Sequence, residues 1–310
     1  MTLVVDTRFG IPRSNGATPD RCFPDILSWK VVSGTACSVR ESNLRLLWAD
    51  DGGSLSVFTT QDTAPEPTFV LTYSDIARFE LSYPSREILI SPRNDAVSDH
   101  TIQHLLVDQI WPRIIAHCGQ LVLHAAGVST PHGVVLFLGQ SGRGKSTLAA
   151  SLHQRGLGLL GDDAMVISAG DDEARCKAVY RSLRLFPDSI ATLFNQPIRQ
   201  SKVADYTDKR NIHLSVPEHP DDEHRVRAVF FLEPDEAQVS ASLRLVSPAA
   251  ACMLTVEHSF WLDPTEIALT AQKLRSASAL ANRVPAYRLV YPRDYAKLAN
   301  VHAAIFSVLD

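Results

Sequence analysis

The rhythm of apolar and polar positions changes near residue 100. Before it, short apolar pieces (RLLWAD, SLSVFTT, TFVLTY and RFELSY) are separated by turn-forming stretches such as DDGG and APEP. In RFELSY, Phe79, Leu81 and Tyr83 alternate with polar neighbours, the two-residue period of a half-buried strand. This pattern predicts an N-terminal β-rich domain over residues 1–95. It carries no recognisable chemistry, and its sheet edges suggest substrate docking as its role. Over 101–117 the period lengthens: Ile102, Leu105, Leu106, Ile110 and Ile114 fall at helical spacing. Pro112 is expected to kink or split that helix, and Gly119 to end it.

From residue 96 to 310 strand and helix patterns alternate, which predicts a single α/β domain. LVLHAAGV (121–128) and VVLFLG (134–139) read as two buried strands joined by STPHG. A helix follows from Ser146 to Arg155, and then a strand, LLGDDAMVI, with two aspartates near its start. RAVFFLE (227–233) and AYRLVYP read as strands. SPAAACMLTVEHSF reads as a helix opened by a Ser cap and a Pro in its first turn, and RDYAKLANVHAAIFSVL as an amphipathic terminal helix. The polar, proline-interrupted stretch 195–225 is expected to be a long mobile loop.

Composition removes several classes of function. The 310 residues are 45% hydrophobic and 21% charged, with net charge −4. No basic excess is available to neutralise a nucleic-acid backbone. No apolar run approaches the roughly 20 residues of a membrane span. MTLVVDTRFG lacks the basic and apolar regions of an export signal, so a cytoplasmic location is expected. Cys22, Cys37, Cys118, Cys176 and Cys252 are scattered and odd in number, which predicts free thiols. His213, His219 and His224 sit among acids in HLSVPEHPDDEH, but at no metal-ligand spacing; a solvated loop is the reading there.

The chemistry is concentrated in FLGQSGRGKST, which contains G-x-x-x-x-G-K-S at Gly139, Gly144, Lys145 and Ser146. Glycines let backbone N–H groups turn toward anionic oxygens, and the following helix adds its positive end. The nucleotide-binding set is therefore Gly139, Ser141, Gly142, Arg143, Gly144, Lys145, Ser146 and Thr147. Lys145 should reach the β- and γ-phosphates of ATP, and the Ser146 hydroxyl should sit on Mg²⁺. Arg143 occupies a variable position and reads as a solvated side chain. Asp162 and Asp163 follow Lys145 by only 17 and 18 residues, so one helix and a turn return them to the loop. One carboxylate there can hold Mg²⁺ and the other can take the proton of an attacking hydroxyl. His124 interrupts an apolar strand next to the loop strand, and a core role and a site role are equally open to it.

Residues 123–167, LHAAGV through GDDAMVI, resemble the catalytic core of HPr kinase/phosphorylase. The resemblance implies a P-loop serine kinase, with a mixed sheet flanked by helices, that uses ATP and Mg²⁺. His124 takes the place of the family's active-site histidine, Gly139–Thr147 that of its phosphate loop, and Asp162 and Asp163 that of its aspartate pair. On motif order Asp162 is then the base, with His124 and Lys145 also catalytic, and Ser146 and Asp163 hold the metal. GDD behind a phosphate loop is also similar to ATP-dependent phosphoenolpyruvate carboxykinase, but the chain is much too short for that enzyme. The segments HLLVDQIWPRIIAHCGQLVLHAAGV, LRLFPDSIATL, DKRNIHL, AVFFLE and VPAYRLVYPRDYAKL look like the HPr-kinase-related branch of peptide natural-product clusters. Some members of that branch phosphorylate the C-terminal serine of a lasso-peptide precursor. The partner so implied is a precursor peptide. A carrier protein, a small-molecule alcohol, or a non-catalytic nucleotide-binding regulator are the alternatives. HPr kinases form rings, which leaves a homo-oligomer open. Arg184, Lys209 and Arg210 lie in branch-like segments, where gripping an anion and simple exposure are equal readings.

Overall fold

The computed structural model describes residues 29–34, 38–61, 67–170, 172–214 and 223–309. Cys22, Cys37, His219 and most of HLSVPEHPDDEH lie outside them. The chain groups into two compact units. One comprises residues 1–114 with 204–207 and 262–266, and the other 115–203, 208–261 and 267–310. Residues 96–114, read from the sequence as part of the second domain, thus group with the first. Among the described residues no helix is long and apolar enough to cross a membrane.

The first unit carries a six-stranded sheet of β1 (Lys30–Ser33), β2 (Leu44–Ala49), β3 (Leu55–Thr60), β4 (Thr68–Tyr73), β5 (Ala77–Ser82) and β6 (Glu87–Pro92). The order is β1-β6-β5-β4-β3-β2, antiparallel except for the parallel β1–β6 pair. The alternation in β5 predicted one buried face, yet Arg78 and Glu80 are buried along with Phe79 and Leu81. The polar face is covered because its charges are matched. Arg78 Nε lies 3.0 Å from Glu80 Oε1, Arg78 Nη2 donates to the Val39 carbonyl at 2.7 Å, and Glu80 accepts from the Ser38 N–H at 3.1 Å. The helical segment runs as Asp99–Leu105, a wider π turn at Leu106–Ile110, and Trp111–His117. Pro112 cannot donate to the Asp108 carbonyl, and the helix widens in the turn before it.

The second unit is built on a nine-stranded mixed sheet: β7 (Leu121–Leu123), β8 (Ala125–Thr130), β9 (Gly133–Leu138), β10 (Gly158–Gly161), β11 (Met165–Ala169), β12 (Ala174–Ala178), and then, beyond a smaller sheet, β16 (His224–Pro234), β17 (Ser242–Leu245) and β18 (Ala286–Tyr291). The smaller sheet holds β13 (Arg184–Leu185), β14 (Gln200–Ala204) and β15 (Thr207–Ile212), in the order β13-β15-β14. A strand pair therefore stands where a mobile loop was expected. Its residues are mostly polar and half-buried, so they give no apolar alternation to read.

In VVLFL, alternate residues face opposite ways and both faces are buried. Val134, Leu136 and Leu138 join Val229, Phe231, Cys252, Ala277 and Leu280, under the helices Pro248–Glu257 and Ile267–Arg283. Val135 and Phe137 join Leu148, Leu152, Phe230, Leu289, Val301 and Ile305, under Lys145–His153 and Leu298–Phe306. Helices thus cover both faces of the sheet.

Candidate active site

Strand direction gathers the site. β8 is antiparallel to both β9 and β10, so β9 and β10 run the same way. β16 is parallel to β9, and β18 to β16. The C-terminal ends of four strands, at Leu138, Gly161, Pro234 and Tyr291, therefore lie along one edge, where ligands bind in α/β sheets. β8 begins at that edge with His124 just before it.

The phosphate loop follows β9. Gly144 has φ +90°, and a Cβ on it would stand 2.7 Å from the Tyr291 hydroxyl. That hydroxyl donates to the Arg143 carbonyl at 2.5 Å, and Arg293 Nη2 donates to the Gly142 carbonyl. Two side chains from the end of β18 thus brace the loop. Lys145, 5% exposed, opens the following helix and donates to the Gly139 and Gln140 carbonyls at 2.6 and 3.2 Å. Burial pulls its ammonium below the ordinary lysine value, and Asp163 and Asp162 oppose that pull.

The expected strand LLGDDAMVI is two strands, and the aspartates form the turn between them. Gly161 fits because a Cβ there would meet the Ala178 Cβ at 2.6 Å. Asp163 has φ +78°, a left-handed conformation that Asp tolerates better than most residues. The reversal sends the two carboxylates to different places. Asp162 is fully buried, its Oδ1 lacks a hydrogen-bond partner, and its Oδ2 accepts from the Arg184 N–H at 3.4 Å. Burial and the neighbouring Asp163 charge push its carboxyl up to about 7, against the Ser146 hydroxyl, Arg184 and Lys145. Asp163 lines the cleft. Its Oδ1 is 3.1 Å from His124 Nε2 and its Oδ2 accepts from Arg184 Nη1 at 2.9 Å. Burial opposes its ionisation, but the His124 hydrogen bond, Arg184 and Lys209 outweigh burial and hold it well below the usual carboxylate range.

The cleft, of about 340 Å³, is lined by His124, Ser141, Gly142, Gly144, Lys145, Ser146, Thr147 and Asp163 among the residues read from the sequence. Gly139 contributes its carbonyl to Lys145, while the Arg143 side chain is outside the lining. Arg184 and Lys209 line the cleft and Arg210 does not. The sequence offered no role for Asp188, Ser189 and Tyr295, which extend the polar lining from the loop: Thr147 Oγ1 lies 3.3 Å from Ser189 Oγ, which lies 2.8 Å from the Tyr295 hydroxyl, which donates to Asp188 at 3.0 Å. Asp188 and Ser189 fall in the quoted LRLFPDSIATL segment and Tyr295 in VPAYRLVYPRDYAKL, but polar residues there show no spacing that marks a site. Among the described residues no cluster of three or more His, Cys, Asp or Glu is suited to a metal.

No family model matches the chain, and no curated protein matches it. Among solved structures, the chain is similar to the Hpr(Ser) kinase/phosphatase from Coxiella burnetii, at 12% identity and TM-score 0.32, over 60% of this chain and 94% of that one.

Proposed function

We propose that the protein is an ATP-dependent phosphotransferase that moves the γ-phosphoryl group to a hydroxyl. Following the branch it resembles, the acceptor is the C-terminal serine of a precursor peptide. One observation carries this reading: two carboxylates of opposite character stand beside an intact phosphate loop, one sealed beneath it and one facing the cleft.

That contrast favours exchanging the roles suggested by motif order. Asp163 reaches the cleft and is ionised, with both oxygens oriented by His124 and Arg184. In transfer, the acceptor oxygen bonds to the γ-phosphorus as the bond to the β-phosphate oxygen breaks. ADP leaves with that electron pair, and the hydroxyl proton passes to Asp163. A weakly basic carboxylate suits a loose transition state, in which the attacking oxygen gives up its proton late. The residues also fit Mg²⁺. The partnerless Oδ1 of Asp162 and the Ser146 hydroxyl are hard oxygen donors, and Mg²⁺ typically takes one or two carboxylates plus substrate phosphates. Bound there, Mg²⁺ would neutralise charge on the phosphates. The loop N–H groups and Lys145 hold the triphosphate in line with the acceptor.

The test is intact-mass spectrometry of a candidate precursor peptide incubated with protein, ATP and Mg²⁺. A gain of about 80 Da per phosphoryl group, absent with Lys145→Ala and Asp163→Asn, is expected. A gain that survives Asp163→Asn but not Asp162→Asn would restore the original assignment of the base. Nucleotide binding with no transfer to peptide, protein or small-molecule hydroxyls would sink the kinase reading.

A further inference from the structure

Arg184 and Leu185 of β13 and Lys209 of β15 line the cleft, and the register of these two strands sets out a row of side chains. Arg184 pairs with Asn211 and Leu185 with Arg210 across the antiparallel β13–β15 ladder. Continued by one residue, that register places Phe186 opposite Lys209. The Lys209 ammonium indeed sits over the Phe186 ring, 5.4 Å from its centroid. Directly opposed residues share a face, as do residues two apart. Arg184, Phe186 and Lys209 therefore project together, and all three line the cleft. Lys209 shares the cleft with Asp163 and Lys145, and its charge favours the ionised form of Asp163 and disfavours that of Lys145.

We infer that Lys209 is a further catalytic residue, whose ammonium contacts the terminal phosphoryl group of the bound nucleotide while Lys145 serves the inner phosphates. This rests on the phosphotransferase reading above. The aromatic face of Phe186 holds the ammonium by cation–π attraction. Arg184 spends its guanidinium on Asp163, so Lys209 supplies positive charge on the acceptor side of the phosphorus. It donates a hydrogen bond to a non-bridging oxygen, and no bond to Lys209 forms or breaks.

The experiment compares full-length wild type with Lys209→Met by calorimetric titration, with Mg²⁺, of ADP and of the β,γ-imido analogue of ATP. ADP should bind the variant within about 2-fold of wild type, and the analogue about 10-fold or more weakly, the loss expected for a hydrogen bond between charged groups. Lys209→Arg should recover most of the difference. Equal binding of both nucleotides, or equal weakening of both, overturns the inference. Should Lys209→Met fail to fold, the same titrations on Lys209→Gln decide it. A wild type that binds neither nucleotide removes the phosphotransferase reading itself, whereas a wild type that binds both and is unaffected by Lys209→Met removes only this inference.

Discussion

Replacing Asp162 by Asn should make the protein more stable as the pH rises. The Asp162 carboxyl has an ordinary value of 3.8 in the unfolded chain and is pushed up to about 7 in the fold. Between those values the folded chain keeps a proton that the unfolded chain has released. Folding stability therefore falls as pH rises through that window and levels off above it. Each pH unit carries about 1.4 kcal/mol, so the whole window is worth about 4 kcal/mol, and the part between pH 5 and 8 about 3 kcal/mol. Asn retains an acceptor for the Arg184 N–H and has nothing to ionise. Urea denaturation of both proteins at pH 5, 6, 7 and 8, without nucleotide or Mg²⁺, isolates the effect, because other titrating groups cancel in the difference. The stability of Asp162→Asn relative to wild type should grow by about 3 kcal/mol from pH 5 to pH 8. A difference that stays constant across the series would refute the argument that burial and the Asp163 charge hold a proton on Asp162. Mg²⁺ should narrow the gap at pH 8 by favouring the ionised carboxylate of the wild type only.

Lys145→Ala should weaken ATP binding by about 10-fold or more while leaving the thermal midpoint of the nucleotide-free protein near wild type or higher, because a buried ammonium is removed; parallel titration and thermal unfolding check both. Gly144→Ala forces a Cβ toward the Tyr291 hydroxyl at φ +90°, and should cost about 1–3 kcal/mol of stability, readable by chemical denaturation, with part restored in the double variant with Tyr291→Phe. His302 is buried against Ser151 Oγ at 2.8 Å and Arg155 Nη1 at 3.2 Å, and burial followed by the Arg155 charge pushes it down to about 4. Its imidazole should stay neutral at pH 5.5 in an NMR titration, and its contribution to stability should be lost only as the pH falls from 6.5 toward 4.

The apolar runs were the legible part of the fold. VVLFL and RAVFFLE are buried on both faces, and the strand–loop–helix around GRGKST needs little context to be read. What escaped depended on long-range pairing. β14 and β15 are polar strands stabilised by each other and by two residues of β13, so no local period reveals them. Glu80 looked like a solvent-facing residue because its partners, Arg78 apart, are the Ser38 hydroxyl and the Ser38 and Val39 N–H groups, some 40 residues away. The site divided in the same way. The phosphate loop and the aspartate pair were readable from spacing. The opposite characters of Asp162 and Asp163 were not, because they follow from one left-handed turn at Asp163 and from Arg184, 21 residues further on. Arg184 itself lies in a two-residue strand, too short to announce which way its side chain points.

The brace on the phosphate loop has a kinetic consequence. Glycine-rich loops have many conformations to lose when an anion settles into them. Here Tyr291 and Arg293 tie down the carbonyls of Arg143 and Gly142 from the end of a core strand. The ordering entropy is thus spent when the chain folds and is not charged again at each encounter with nucleotide. Capture should then resemble docking into a rigid receptor, a single concentration-dependent phase with no slow loop rearrangement after it, leaving the slow motions of a catalytic cycle to parts of the protein other than the cradle.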